Sequence, residues 1–186
     1  MPVAVDTSFL VALIDESIDP DEVIPGASPG TMAPRINYFR RKAEENGQRV
    51  IIPAPALSEF LVGAACAAPY YLQELGRYQA FRVASFDELA AVELAEMEQQ
   101  AGASWGRRRG PLPDDRNMAK VNFDRQIVAI ARVHEVSQVI AADGDIYRLC
   151  TRKDDPQVVH PTELPLPAQQ SLDLPDPSAD GGDGHF

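Results

Sequence analysis

Short runs of β-branched and aliphatic residues alternate along this chain with stretches of helical spacing, and no other feature limits its fold as much. Residues 2–5, 50–52, 81–84, 138–141 and 157–160 read as strands. Between them lie helical patterns over residues 7–15, 32–46, 55–66, 70–79, 85–101 and 122–135, with a short helix over 145–150. Strands always separated by helices cannot pair as hairpins. They predict an α/β chain whose central, mainly parallel sheet is covered on both faces, a three-layer α/β/α sandwich. Local signals agree: Asp6 or Thr7 can cap the first helix, Gly47 stops the second, and Pro55 opens the third. Ser85 with Glu88 spells a capping box ahead of a stripe made by Phe86, Ala90, Leu94, Met97 and Ala101.

A length of 186 residues has room for one such domain and a tail. From residue 161 the chain runs to Pro, Asp, Ser and Gly, too poor in apolar surface to offset its ordering entropy. The expected division is a domain over 1–160 and a disordered acidic tail over 161–186. Residues 15–34, with Pro20, Pro25, Pro29 and Pro34, read as a loop. So do residues 102–117, which carry Trp105 and the run Arg107-Arg108-Arg109. The net charge of −11 repels phosphates when taken as a bulk value. It is unevenly placed, because residues 154–186 hold seven acids and no Lys or Arg, leaving −4 on residues 1–153. Cys66 and Cys150 lack metal-ligand spacing and are too few for a secreted scaffold. The apolar stretch over 7–14 is too short to span a membrane and no basic segment precedes it, so no membrane partner and a cytoplasmic location are expected.

In open parallel sheets, sites form beyond the carboxyl ends of the strands. Asp6 ends the first strand, and Asp143 and Asp145 follow the fourth. Asp124 falls in the expected first turn of its helix, and Glu59 lies one turn into the helix after the second strand. Each has an ordinary reading: Asp6 as a helix cap, Asp124 as a partner of the helix dipole, Asp143-Gly144-Asp145 as a turn. Glu59 is harder to dismiss, because Leu57, Phe60, Leu61, Val62, Ala64 and Ala65 make its helix nearly apolar all round. A carboxylate there needs compensation, and a cation would supply it. Carboxylates without His or Cys suit the hard cations Mg²⁺ or Mn²⁺, which activate water and stabilise the oxygens of a phosphodiester during hydrolysis.

Four segments then resemble the PIN-domain family, in particular single-domain VapC-type ribonuclease toxins. They are Val3-Ala4-Val5-Asp6-Thr7-Ser8-Phe9-Leu10, Ile52-Pro53-Ala54-Pro55-Ala56-Leu57-Ser58-Glu59-Phe60, Phe123-Asp124-Arg125-Gln126-Ile127-Val128-Ala129, and Val139-Ile140-Ala141-Ala142-Asp143-Gly144-Asp145. The resemblance implies a Mg²⁺- or Mn²⁺-dependent endoribonuclease in which Asp6, Glu59, Asp124 and Asp143 hold the metal and act in catalysis. It makes Asp145 an additional metal-site acid, and Thr7 or Ser8 a hydroxyl that orients a carboxylate or a water; capping explains those hydroxyls equally well. It further implies an RNA substrate, a cognate antitoxin and a homodimer. The chain departs from the family where Ala141-Ala142 replaces the hydroxyl residue usual before Asp143.

An acidic pocket needs a basic rim to hold RNA, and Arg107, Arg108, Arg109, Lys120 and Arg125 are the candidates. Their other reading is a solvated loop and helix face. The competing function is a PIN-like binding or regulatory module with weak or no catalysis. A phosphatase using Asp6 as nucleophile lacks the second acid two residues on, where Ser8 stands, and no G-x-G-x-x-G follows any strand.

Overall fold

The computed structural model describes residues 1–100, 102 and 115–167, with 115–121 described by backbone alone. Five parallel strands pair within the described residues: β1 (Val3–Val5), β2 (Val50–Pro53), β3 (Phe81–Ala84), β4 (Gln138–Ile140) and β5 (Gln157–Val159). Their order across the sheet is β3-β2-β1-β4-β5. The chain thus builds outward from β1 in one direction, then returns to β1's other side with β4. In register, Val3 faces Val50 on one side and Gln138 on the other.

Helices α1 (Thr7–Ile14), α2 (Pro20–Val23), α3 (Met32–Glu45), α4 (Ala54–Ala64), α5 (Ala68–Leu75), α6 (Glu88–Gln100), α7 (Asp115–Val133) and α8 (Gly144–Leu149) connect and cover the sheet. The period-two alternation of the strands divides the core. Val3, Val5, Val50 and Ile52 pack with Phe9, Leu10 and Leu13 of α1 and Ile36 and Phe39 of α3. Ala4, Ile51 and Val139 pack on the opposite face with Met97 of α6, Ile127 and Ile130 of α7 and Ile146 of α8. Both faces are buried, which is why these strands are apolar throughout instead of alternating with polar residues. Phe9, Leu10 and Leu13 are fully buried, each contributing about 2 kcal/mol by removal from water. Phe9 meets Phe39 edge to face with ring centroids 5.5 Å apart.

The α/β/α expectation holds, with local corrections. Helix α7 begins at Asp115, within the segment read as a loop, so Asp124 lies in mid-helix and is no dipole partner of a first turn. Met118, Ala119 and Lys120 are good helix formers, and the acids Asp114 and Asp115 after Pro113 are a start signal that the arginine run obscured. Helix α6 is capped by Asp87, whose carboxylate accepts from the Ala90 N–H at 3.0 Å, and not by the expected Ser85–Glu88 box. The segment read as a loop over 15–34 is tied down. Its Asp21 carboxylate accepts from the N–H groups of Gly30 (2.6 Å) and Met32 (2.9 Å), and Ile24 is buried. The first residues of the proline-rich end also pack: Pro161–Glu163 forms a single 3₁₀ turn, Leu164 is buried, and its carbonyl accepts from Arg35. The rest of the expected tail, from residue 168, lies outside the described residues.

Candidate metal and active site

The strand order reverses between β1 and β4, and a crevice opens there beyond the carboxyl ends of the strands. Asp6 follows β1, and Asp143 comes three residues after the end of β4. The backbone holds the two together: the Asp6 N–H extends the sheet by donating to the Ile140 carbonyl at 3.0 Å. The Asp6 side chain ties the start of α1 to the loop after β4. One oxygen caps α1 by accepting from the Phe9 N–H at 2.7 Å, and the other accepts from the Ala142 N–H at 2.9 Å. Capping and site geometry are therefore one arrangement. Ala142 has no side-chain hydroxyl to offer and contributes its backbone N–H to Asp6 instead.

Asp6 is only 3% exposed. Burial pushes its carboxyl up from 3.8 to about 6, reinforced by the charge of Asp143 and opposed by the N–H donors of Phe9, Ala142 and Asp143. Asp143 caps α8, accepting from the Asp145 N–H at 2.8 Å. Mid-α7, where the helix packs against α8, the buried Asp124 approaches the same place. Carboxylate oxygens of Asp124, Asp143 and Asp145 all lie within 4.8 Å of one another. Like charges so close raise one another's cost of ionisation and favour a cation between them.

Glu59 is placed differently. It is half-buried on α4, and its Oε2 accepts the Thr7 hydroxyl proton across the α1–α4 contact. The compensation expected from a cation is thus supplied in part by Thr7. The all-round apolar helix explains less than expected, since Val62 on α4 is 79% exposed. Ser8 stands half-buried beside Thr7 in the first turn of α1.

Three carboxylates can hold a metal ion, and the donor set suits a hard one. Mg²⁺ binds oxygen at about 2.0–2.1 Å, keeps several waters and uses few protein carboxylates. Oxygens within 4.8 Å meet that requirement after a small side-chain adjustment or through one water.

Of the basic candidates, Arg125 lies beside Asp124, paired with Glu98 of α6 at 3.1 Å. Arg107, Arg108 and Arg109, with Trp105, lie outside the described residues, as does the Lys120 side chain. The residue the sequence reading missed is Arg148, whose guanidinium meets Asp145 Oδ1 at 2.7 Å. Its signal was the i,i+3 spacing within one short helix, acid first.

No family model and no curated protein matches this chain. Solved structures do. It matches a chain of FitAB bound to an IR36 DNA fragment at 19% identity and TM-score 0.52, over 88% of this chain and 97% of that one. A chain of VapBC2 from Rickettsia felis, bound to a DNA fragment from its promoter, matches at 13% identity and TM-score 0.52, over 86% and 98% of the two chains. DNA-bound VapBC from Salmonella typhimurium gives 15% identity, TM-score 0.52, and 87% and 98% coverage. The fold is PIN-like. At these identities the likeness concerns the path of the backbone, and the chemistry of a PIN-like crevice rests on this chain's own side chains. Among the described residues, no helix is long and apolar enough to cross a membrane.

Proposed function

We propose that this chain is a Mg²⁺- or Mn²⁺-dependent endoribonuclease, the toxin of a toxin–antitoxin pair, with its nuclease domain over residues 1–160. The observation that carries the reading is the meeting of Asp124, Asp143 and Asp145 at the switch point of a PIN-like sheet, with Asp6 hydrogen-bonded to the residue before Asp143. Asp6, Asp124 and Asp143 hold the metal, Asp145 adds charge at the outer edge, and Glu59 completes the site. When bound, the cation supplies an activated water and charge stabilisation for the phosphoryl and leaving oxygens. The Thr7 hydroxyl fixes the Glu59 rotamer, and the Phe9 and Ala142 N–H groups fix the Asp6 carboxylate, so neither has to be ordered during turnover. Likeness to the two-component FitAB and VapBC assemblies supports a small protein partner. An antitoxin would neutralise this crevice by inserting an Arg or Lys among the carboxylates. A homodimer completes the proposed assembly in the cytoplasm.

Purified protein is expected to cleave single-stranded RNA when Mn²⁺ is added, to stop in EDTA, and to resume when Mn²⁺ is restored. Undiminished cleavage in EDTA would contradict the reading.

A further inference from the structure

Beside the carboxylates, a second groove runs between α6, α7 and the segment after α8, its lining including Glu98, Arg125, Arg132, Arg148 and Arg152. Four arginines on one groove is unusual for a chain with a net charge of −11. The groove is continuous with the acidic site, because Arg125, Arg148 and Leu149 also line the pocket that holds Asp124 and Asp145.

The four arginines are not equivalent. Arg132 is 10% exposed and held by Glu93 at 2.9 Å and by Asp155 at 2.6 Å, with the Asp155 side chain 4% exposed. It is a structural strut. Arg152 reaches the same Glu93 only at 3.5 Å and is 36% exposed. Arg148 is 81% exposed, and its one acidic contact among the described residues is the partly exposed Asp145. Solvent-exposed pairs of this kind hold weakly, so a phosphate can compete for both guanidiniums. Arg125 faces the groove but is held by Glu98.

The geometry points to Arg148 and Arg152 as a phosphate-binding track for the backbone of a single RNA strand, leading from the carboxylate site, with Arg125 partly masked by Glu98. This inference rests on the nuclease reading and adds to it the residues that hold the substrate. Arg148 stands at the junction, touching both the acidic cluster and the groove. It positions the strand so that the next phosphate along reaches the carboxylates.

The test uses a fluorescein-labelled oligouridylate, with binding followed by anisotropy in EDTA across a salt series and cleavage in Mn²⁺ measured in parallel. Arg148→Ala/Arg152→Ala should weaken binding on the order of tenfold at low salt and flatten the slope of log affinity against log salt by about 1.4, two single-strand phosphate contacts. Glu98→Gln should tighten binding a few-fold, on the order of one released contact. A charge-matched control, Arg41→Ala/Arg77→Ala, removes two exposed arginines, one on α3 and one in the turn after α5, and should match the unaltered protein. The track is overturned if the Arg148/Arg152 variant keeps full affinity and slope, or loses no more than the control. Should that variant fail to fold, Glu98→Gln decides: unchanged affinity overturns the track. Cleavage that persists with unaltered binding in the groove variants removes this inference and leaves the nuclease standing. Groove-dependent binding without any Mn²⁺-dependent cleavage removes the nuclease and leaves the track.

Discussion

Replacing Asp124 by asparagine is expected to lower Mn²⁺-dependent RNA cleavage on the order of 10³-fold or more while leaving the thermal midpoint equal to or above that of the unaltered protein. Asparagine is nearly isosteric but removes one of three negative charges whose oxygens lie within 4.8 Å of each other. A metal site supplies several kcal/mol of charge stabilisation to a phosphoryl transition state, and about 4 kcal/mol corresponds to 10³ in rate. The same change relieves repulsion at the buried Asp124, so stability does not fall with activity. That opposition separates a functional acid from a structural one. A variant that loses activity because its helix packing failed would melt early. Rates in Mn²⁺ alongside calorimetric melting of the same preparation check both halves; retained cleavage with a normal melt would remove Asp124 from the site.

The second large effect is on stability and belongs to Asp6. Its carboxyl titrates near 6 in the folded chain, against 3.8 ordinarily, because it is buried beside Asp143. The folded state therefore binds this proton more tightly than the unfolded chain does. The resulting stabilisation is complete below about 3.8 and is lost as the pH rises through about 6, amounting to on the order of 3 kcal/mol. Asp6→Asn cannot titrate. It loses an acceptor for either the Phe9 or the Ala142 N–H, but that loss does not vary with pH. The difference in unfolding free energy between the two proteins, measured in EDTA by urea denaturation from about pH 4.5 to about pH 7.5, should shift by about 2 kcal/mol against the unaltered chain. Added Mn²⁺ should reverse most of the shift at the upper end, where the carboxylate is charged, and little at the lower end, where protons compete with metal. A difference independent of pH would mean that Asp6 is not held as a buried carboxylate.

Much of this arrangement was legible in the residues. The apolar β-branched runs mark the five strands of the described residues, and acids placed beyond strand ends bring Asp6, Asp143 and Asp145 to the carboxyl end of the sheet. The order across the sheet was not legible. Nothing local to Val3-Ala4-Val5 says that β1 lies at the centre, yet that position creates the switch point. The early start of α7 was hidden because an arginine run between glycines and prolines resembles a loop whatever follows it. Thr7 as the partner of Glu59 was unreachable from spacing, the two being 52 residues apart. Ala142 reads in the sequence as an absent hydroxyl, although its backbone N–H supplies a hydrogen bond to Asp6 that side-chain identity cannot reveal. Of the arginine groove only Arg125 was legible: Arg148 and Arg152 join it only when α7 packs on α8, and no local spacing marks them in a chain dominated by acids.

The proposed function stands on Asp124, Asp143 and Asp145, with Asp6, forming one divalent-cation site. Titrating Mn²⁺ into the full chain while following the electron paramagnetic resonance signal of the unbound ion tests it most directly. Saturable loss of that signal is expected, absent in Asp143→Asn and reversed by excess Mg²⁺. An Mn²⁺ signal undiminished by the unaltered protein near neutral pH would contradict it.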